Sequence, residues 1–249
     1  MEHNRAQQRY LVTARQCWSV RSFFAEKMNM PAPQTRLGGV FTEKGNLVRL
    51  PKGRLLQSRG ELSERLYYLV KGHVLLHLSS LVGKELTLDV FGPGELIGIG
   101  ALSTESAHYL NATTLSECVL RCLSAQTLKS ELMHNAELCL ELFNWTNNRL
   151  AKYASHVEEL GLCRLAPRIA RHIINHFRVQ GVPLKNGSEA SIGSQKLLAN
   201  MVASTRESVN KELRRLQERK VIEISRQSVR LLDASKLKQQ AETDSTTDS

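Results

Sequence analysis

At 249 residues the chain has room for two small domains, and a hydrophobic content of 41% allows each a buried core. The formal net charge is +10, and the excess lies late: 16 Lys and Arg against 9 Asp and Glu from Gly161 onward, 18 against 15 before it. A basic C-terminal part calls for a polyanionic partner, while no long apolar run or lipid-binding amphipathic helix speaks for a membrane.

The N-terminal stretch is polar and mixed, unlike a secretory signal, so a cytoplasmic location is expected. Residues 1–39 are taken as an N-terminal extension of no assigned function. Within it Arg15 to Met30 reads as a helix with Trp18 and Phe23 docking inward, stopped by Pro31 and Pro33.

Val48 to Cys122 reads as short strands between turns. Gly53, Gly60, Gly72, Gly83 and Gly92-Pro93-Gly94 punctuate the apolar segments LYYLV, HVLLHL, ELTLDVF and CVLRCL. Such spacing suggests a small sandwich or barrel over residues 40–134. His73 and His77 fall at i and i+4 of one strand, hence on one face. That is either the start of a metal or haem site or a structural pair, and no third ligand is evident. Cys118 and Cys122 share a strand face in the same way, as small buried hydrophobes or as a thiol redox sensor. Together with Cys17, Cys139 and Cys163 they make no C-x-x-C pair and no Cys/His ligand spacing.

Asn135 to Leu162 reads as a long helix. Cys139, Phe143, Thr146, Leu150, Tyr153, Val157 and Leu160 alternate at four and three, a heptad seam that predicts pairing with a second copy. The alternative is a helix packed only on its own barrel. After a hinge at Gly161, Ala166-Pro167-Arg168 opens another helix with Ile169, Ile173, Ile174 and Phe177 inward. Gly181 to Gly193 is read as a polar loop.

Ser194 to Lys220 reads as two helices around a tight turn. Leu197, Leu198 and Met201 form one stripe, and Val209, Leu213 and Leu216 the core face of a second helix that Ser204 or Thr205 caps. Ala199 and Ala203 are small where crossing helices would touch. This is a helix-turn-helix, which lays its second helix in the DNA major groove. Arg206, Glu207 and Lys211 face outward, suited to guanine, cytosine and guanine or phosphate. Ser194, Gln195, Lys196, Thr205, Ser208 and Asn210 complete the expected contact set, chiefly to phosphates. The alternative is a surface helix with i,i+4 pairs such as Glu207–Lys211. VIEISRQSVRLLD then reads as a two-stranded wing turning near Arg226-Gln227-Ser228, with Arg226 and Arg230 near phosphate. The winged domain is expected over residues 163–233, and residues 234–249 as a disordered tail.

TRESVNKELRRLQ is similar to the recognition helix of the catabolite-activator/fumarate-nitrate-regulator (CRP/FNR) superfamily, whose pattern is S-R-E-x-V-x-R-x-L-x-x-L. Lys211 replaces its second Arg, and Glu212 stands where an apolar residue is common. GRLLQSRGELSERLYYLVKGHVLLHL resembles the start of that superfamily's cyclic-nucleotide-binding jelly roll, matching at Gly53, Gly60, Glu61, Tyr67, Gly72 and Val74. GPGELIGIGAL looks like its phosphate-cradling loop and short helix. The resemblance implies an α+β chain with an N-terminal jelly-roll β-barrel, a long dimerisation helix and a C-terminal winged helix-turn-helix. It implies a homodimeric regulator of double-stranded DNA, with RNA polymerase as a further partner of an activator.

The resemblance places the effector pocket around Leu96, Ile97, Gly98, Ile99, Tyr109, Leu110, Arg149 and Tyr153. Cyclic AMP binders in the superfamily use a Glu, an Arg-Ser pair and a Thr-Ser pair. Ile99, Ser106-Ala107 and Tyr153-Ala154 stand there instead, so cyclic AMP is not expected as a tight ligand. The 2-oxoglutarate-responsive nitrogen regulators are also similar, and Arg149 aligns with one of their effector residues, but Ala154 replaces its Glu partner. The effector stays unassigned and no cofactor is expected. Catalytic signatures are missing, so the chain is not read as an enzyme. A thiol-responsive regulator of the same fold, or an interaction module without specific DNA readout, remain the alternatives.

Overall fold

The computed structural model describes residues 35–80, 83–103, 107–225 and 228–243. The helix expected at Arg15–Met30, with Trp18 and Phe23, lies outside them, as do Cys17, Ser106, Arg226 and Gln227. The protein is α+β, and its contacts divide it into two compact units that meet inside one helix, between Ala151 and Lys152.

In the first unit, α1 (Arg36–Lys44) begins where Thr35 accepts from the Gly38 N–H. It straddles the expected border of extension and barrel, because Leu37 and Phe41 are buried against the barrel. Gly38 allows the close fit: a Cβ there would lie 2.7 Å from Tyr68 Oη. The strands are β1 (Asn46–Leu50), β2 (Leu55–Gln57), β3 (Arg65–Lys71), β4 (Val74–Ser79), β5 (Glu85–Phe91), β6 (Leu96–Ile97), β7 (Asn111–Thr114) and β8 (Cys118–Ser124), with a 3-10 turn at Ile99–Leu102. They form two four-stranded antiparallel sheets, ordered β1-β8-β3-β6 and β2-β7-β4-β5. The four apolar segments read from the sequence are β3, β4, β5 and β8. Gly72 adopts φ +98°, and a Cβ there would meet Glu117 O at 2.3 Å, so the β3–β4 turn demands glycine.

The histidine pair does not share a strand face. His73 precedes β4, and a register shift between Leu76 and His77 breaks the alternation, turning both of those side chains inward. His77 Nε2 instead bonds Thr113 Oγ1 at 3.1 Å.

Two helices close the unit. α2 (Ala125–His134) is capped by Ser124, and Asn135 ends it and starts α3 (Ala136–Leu162) by accepting from the Leu138 N–H at 3.0 Å. Glu141 of α3 accepts from the Arg36 N–H at 3.0 Å, so a side chain of α3 caps α1. Leu138 is fully packed, and Trp145 packs against both core clusters of the barrel.

The second unit holds α4 (Leu165–Val179), β9 (Glu189–Ser191), α5 (Gln195–Met201), α6 (Arg206–Glu218), β10 (Ile222–Ser225), β11 (Ser228–Leu231) and α7 (Ala234–Glu242). Ile169, Ile173, Ile174 and Phe177 line one core with Leu198, Val209, Leu213, Leu216, Leu231 and Leu237, as the periodicity of α4 and α6 requires. Two expectations are corrected here. The polar loop contains β9, which pairs with β11, so the wing has three strands in the order β10-β11-β9. Ala190 and Ile192 turn inward and make that stretch worth burying. The tail is helical over Ala234–Glu242, capped by Asp233, because Leu237 and Ala241 are fully buried.

Candidate nucleic-acid interface and sensor site

Each helix of the helix-turn-helix starts on a hydroxyl cap. Ser194 accepts from the Leu197 N–H at 3.1 Å, and Thr205, not Ser204, accepts from the Ser208 N–H at 3.1 Å. Ala203 makes the turn itself. Its φ is +48° and it is exposed, so it serves the change of chain direction and not the helix contact assigned to it, which Ala199 fills. Arg168 of α4 donates from Nη1 to Val202 O at 2.7 Å and ties the end of α5 to the domain. That tie is invisible in sequence, since the residues lie 34 positions apart.

Val209, Leu213 and Leu216 face the core; Glu207 and Lys211 are exposed on the opposite side of α6, and Arg206 is exposed in its first turn. Lys196 of α5 is exposed as well, and Gln195 half-buried. The hydroxyls of Thr205 and Ser208 bond each other at 2.9 Å. Asn210 departs from the expected set: its Oδ1 is buried, because its helical position turns the amide toward the domain. Glu212 does not disturb the core; it pairs with Arg215 at 3.0 Å. Arg230 is held by Glu189 and Glu223 at 3.3 and 3.5 Å, so two carboxylates compete with phosphate for its guanidinium.

The expected effector residues lie on separate elements, and most carry no charge. Leu96 and Ile97 pair through β6 with β3 and are packed into the core. Ile99 opens the 3-10 turn, Tyr109 is 58% exposed, and Tyr153 falls in the second unit. Arg149 is the exception. Its Nη1 donates to Asp89 Oδ2 at 2.6 Å, Nη2 pairs with Glu95 Oε2, and its Cζ lies 4.3 Å from the Phe91 ring centroid and 5.3 Å from that of Trp145. Sequence reading missed Asp89, Glu95 and Trp145. One signal was available: Thr87, Asp89 and Phe91 alternate inward along β5, and an inward aspartate needs a partner.

Cys118 is buried and donates to His73 O at 3.3 Å; burial pushes its thiol pKa up. Cys122 is pushed up as well, again mainly by burial. Both therefore disfavour the thiolate that oxidation chemistry needs. Among the described residues no group of three or more His, Cys, Asp or Glu is placed to hold a metal ion.

Residues 47–135 match the cyclic nucleotide-binding domain family, and residues 167–240 the Crp-like helix-turn-helix domain family. The chain belongs to the CRP/FNR family of transcription regulators. Among the relatives of this CRP/FNR protein is a CRP-like cAMP-activated global transcriptional regulator of Mycobacterium tuberculosis, 24% identical over 78% of this chain and 87% of the relative. An anaerobic regulatory protein of Bacillus subtilis is 28% identical over 71% and 75%. The fold is shared with the c-di-GMP responsive global regulator CLP of Xanthomonas campestris, at TM-score 0.70 and 22% identity over 78% of this chain and 97% of that one. A CRP family regulator from Thermus thermophilus superposes at TM-score 0.65 with 25% identity, over 79% and 97%. The family consists of DNA-binding regulators, not enzymes. No helix among the described residues is long and apolar enough to cross a membrane.

Proposed function

We propose that the protein acts in the cytoplasm as a homodimer that reads an inverted-repeat operator without cyclic AMP. The observation that carries this is the outward face of α6, where Arg206, Glu207 and Lys211 stand exposed just beyond a capped helix start. Arg206 and Lys211 suit guanine, Glu207 suits cytosine N4, and an Arg-Glu pair fits a GTGA-like half-site. Lys196, with Ser194, Gln195, Thr205 and Ser208, positions the helix on phosphate. Pairing is supported by Phe143, Leu150 and Val157, which recur every seven residues along α3 at 65, 66 and 66% exposure. Two-fold pairing suits a palindromic operator, since half-sites lie one helical turn apart. RNA polymerase would be a partner only of an activator.

The test is selection of binding sites from a random DNA pool, with and without cyclic AMP, at fixed salt. A palindromic GTGA-type site enriched equally in both supports the reading. Enrichment only with the nucleotide rejects its cyclic AMP part, and no enriched sequence in either rejects specific readout.

A further inference from the structure

Arg149 is surrounded in the manner of a bound ligand. It stands in the unit's own part of α3, its side chain 12% exposed, and meets Asp89, which is 4% exposed. Glu95 Oε2 takes its Nη2 and also accepts from Trp145 Nε1 at 3.0 Å. Asp89 is aimed by its own backbone, since Oδ1 accepts from the Val90 N–H at 2.8 Å. Phe91 and Trp145 meet edge-on, their centroids 6.2 Å apart, and both rings lie against the guanidinium. Carboxylates meet its nitrogens and aromatic rings its carbon, which is how a guanidinium is recognised.

Packing alone does not require such a device, because a buried ion pair stabilises no better than apolar side chains of the same volume. An anion such as a cyclic phosphate would be repelled by Asp89 and Glu95. The cage sits on β5, the loop before β6 and α3, and of the expected effector residues it includes Arg149.

We propose that this cage is the barrel's ligand site, specific for a guanidinium group, and that Arg149 fills it in cis as a tethered ligand. Seating Arg149 pins the first part of α3 to the barrel and fixes the face that presents Phe143 and Leu150. Operator binding then needs no added effector. This last step rests on the DNA-binding reading above; the cage itself does not.

Arg149→Ala empties the cage and leaves two carboxylates without their cation, so it is compared with the uncharged Arg149→Met/Asp89→Asn/Glu95→Gln. Melting temperature and operator affinity are measured with millimolar methylguanidinium or with methylammonium at equal ionic strength. The expected result is a loss of operator affinity of roughly tenfold or more in both variants. Methylguanidinium, and not methylammonium, restores affinity and melting temperature in Arg149→Ala alone, and leaves the native protein unchanged. Melting of Arg149→Ala that responds alike to the two cations overturns the guanidinium site. Native affinity in the uncharged variant overturns the tethered-ligand role, also where Arg149→Ala does not fold. If the native protein selects no DNA sequence, the DNA reading fails, and the melting titration still decides the cage.

Discussion

Arg206 and Lys196 are both exposed cations of the helix-turn-helix, yet the proposed function gives them different work. Arg206 is exposed at the first position of α6, where it is proposed to read a base edge. Replacing it with Ala should cost about 1–3 kcal/mol of operator affinity and relax one base position. An equal loss on every sequence in a competition titration would make it a phosphate contact instead. Lys196 stands in the first turn of α5 and is assigned to the backbone. Lys196→Ala should weaken binding to all sequences alike and reduce the salt slope by about one. A salt titration with an unchanged slope removes it from the interface. Asn210 and Arg230 show how side-chain environment decides such roles. One amide turns inward, and one guanidinium is already shared by Glu189 and Glu223.

At the scale of elements, α3 carries two faces with opposite demands. Leu138, Leu142 and Trp145 pack on the barrel, while Phe143, Leu150 and Val157 are left to solvent. Exposed side chains of that size, a heptad apart, favour a second copy as their cover. Phe143→Lys should therefore raise the dimer dissociation constant at least ~tenfold, or about 1.4 kcal/mol, with the melting temperature of the barrel little changed. Sedimentation equilibrium checks it, and unchanged mass at low concentration would falsify the seam. The strands were legible through their apolar segments, and α6 through its 3.6-residue period. β9 and α7 were not. Three residues around Ala190 carry no periodicity, and the apolar content of α7 rests on Leu237 between Ala234 and Ala241 in a polar stretch.

At the scale of the whole molecule, pH acts through a buried histidine pair. His172 and His176 of α4 bring their Nε2 atoms to 2.9 Å. Burial, then His176, then His156, push the pKa of His172 down from 6.5 to about 3, and burial lowers that of His176. A depressed folded value means that the unfolded chain binds the extra proton. Stability is therefore full above about pH 6.5 and lost progressively as the pH falls toward 3. The melting temperature should drop between pH 7 and 5, and the drop should shrink in His172→Gln/His176→Gln. An equal drop in that variant places the acid sensitivity elsewhere.

The sequence by itself determined the class of the protein and the order of its parts. Strand segments, the long heptad helix and the outward Arg206-Glu207-Lys211 set are local patterns, each readable within a few turns of chain. Only the tertiary structure decided how the buried charges of the barrel are met. Asp89, Glu95 and Arg149 are separated by up to 60 positions, and folding alone brings their charges to hydrogen-bonding distance in a site lined by Phe91 and Trp145. Local periodicity reports which face of an element is apolar. It does not report which distant charge that face must satisfy, because the cost of burying Asp89 or Arg149 exists only once β5 and α3 have met.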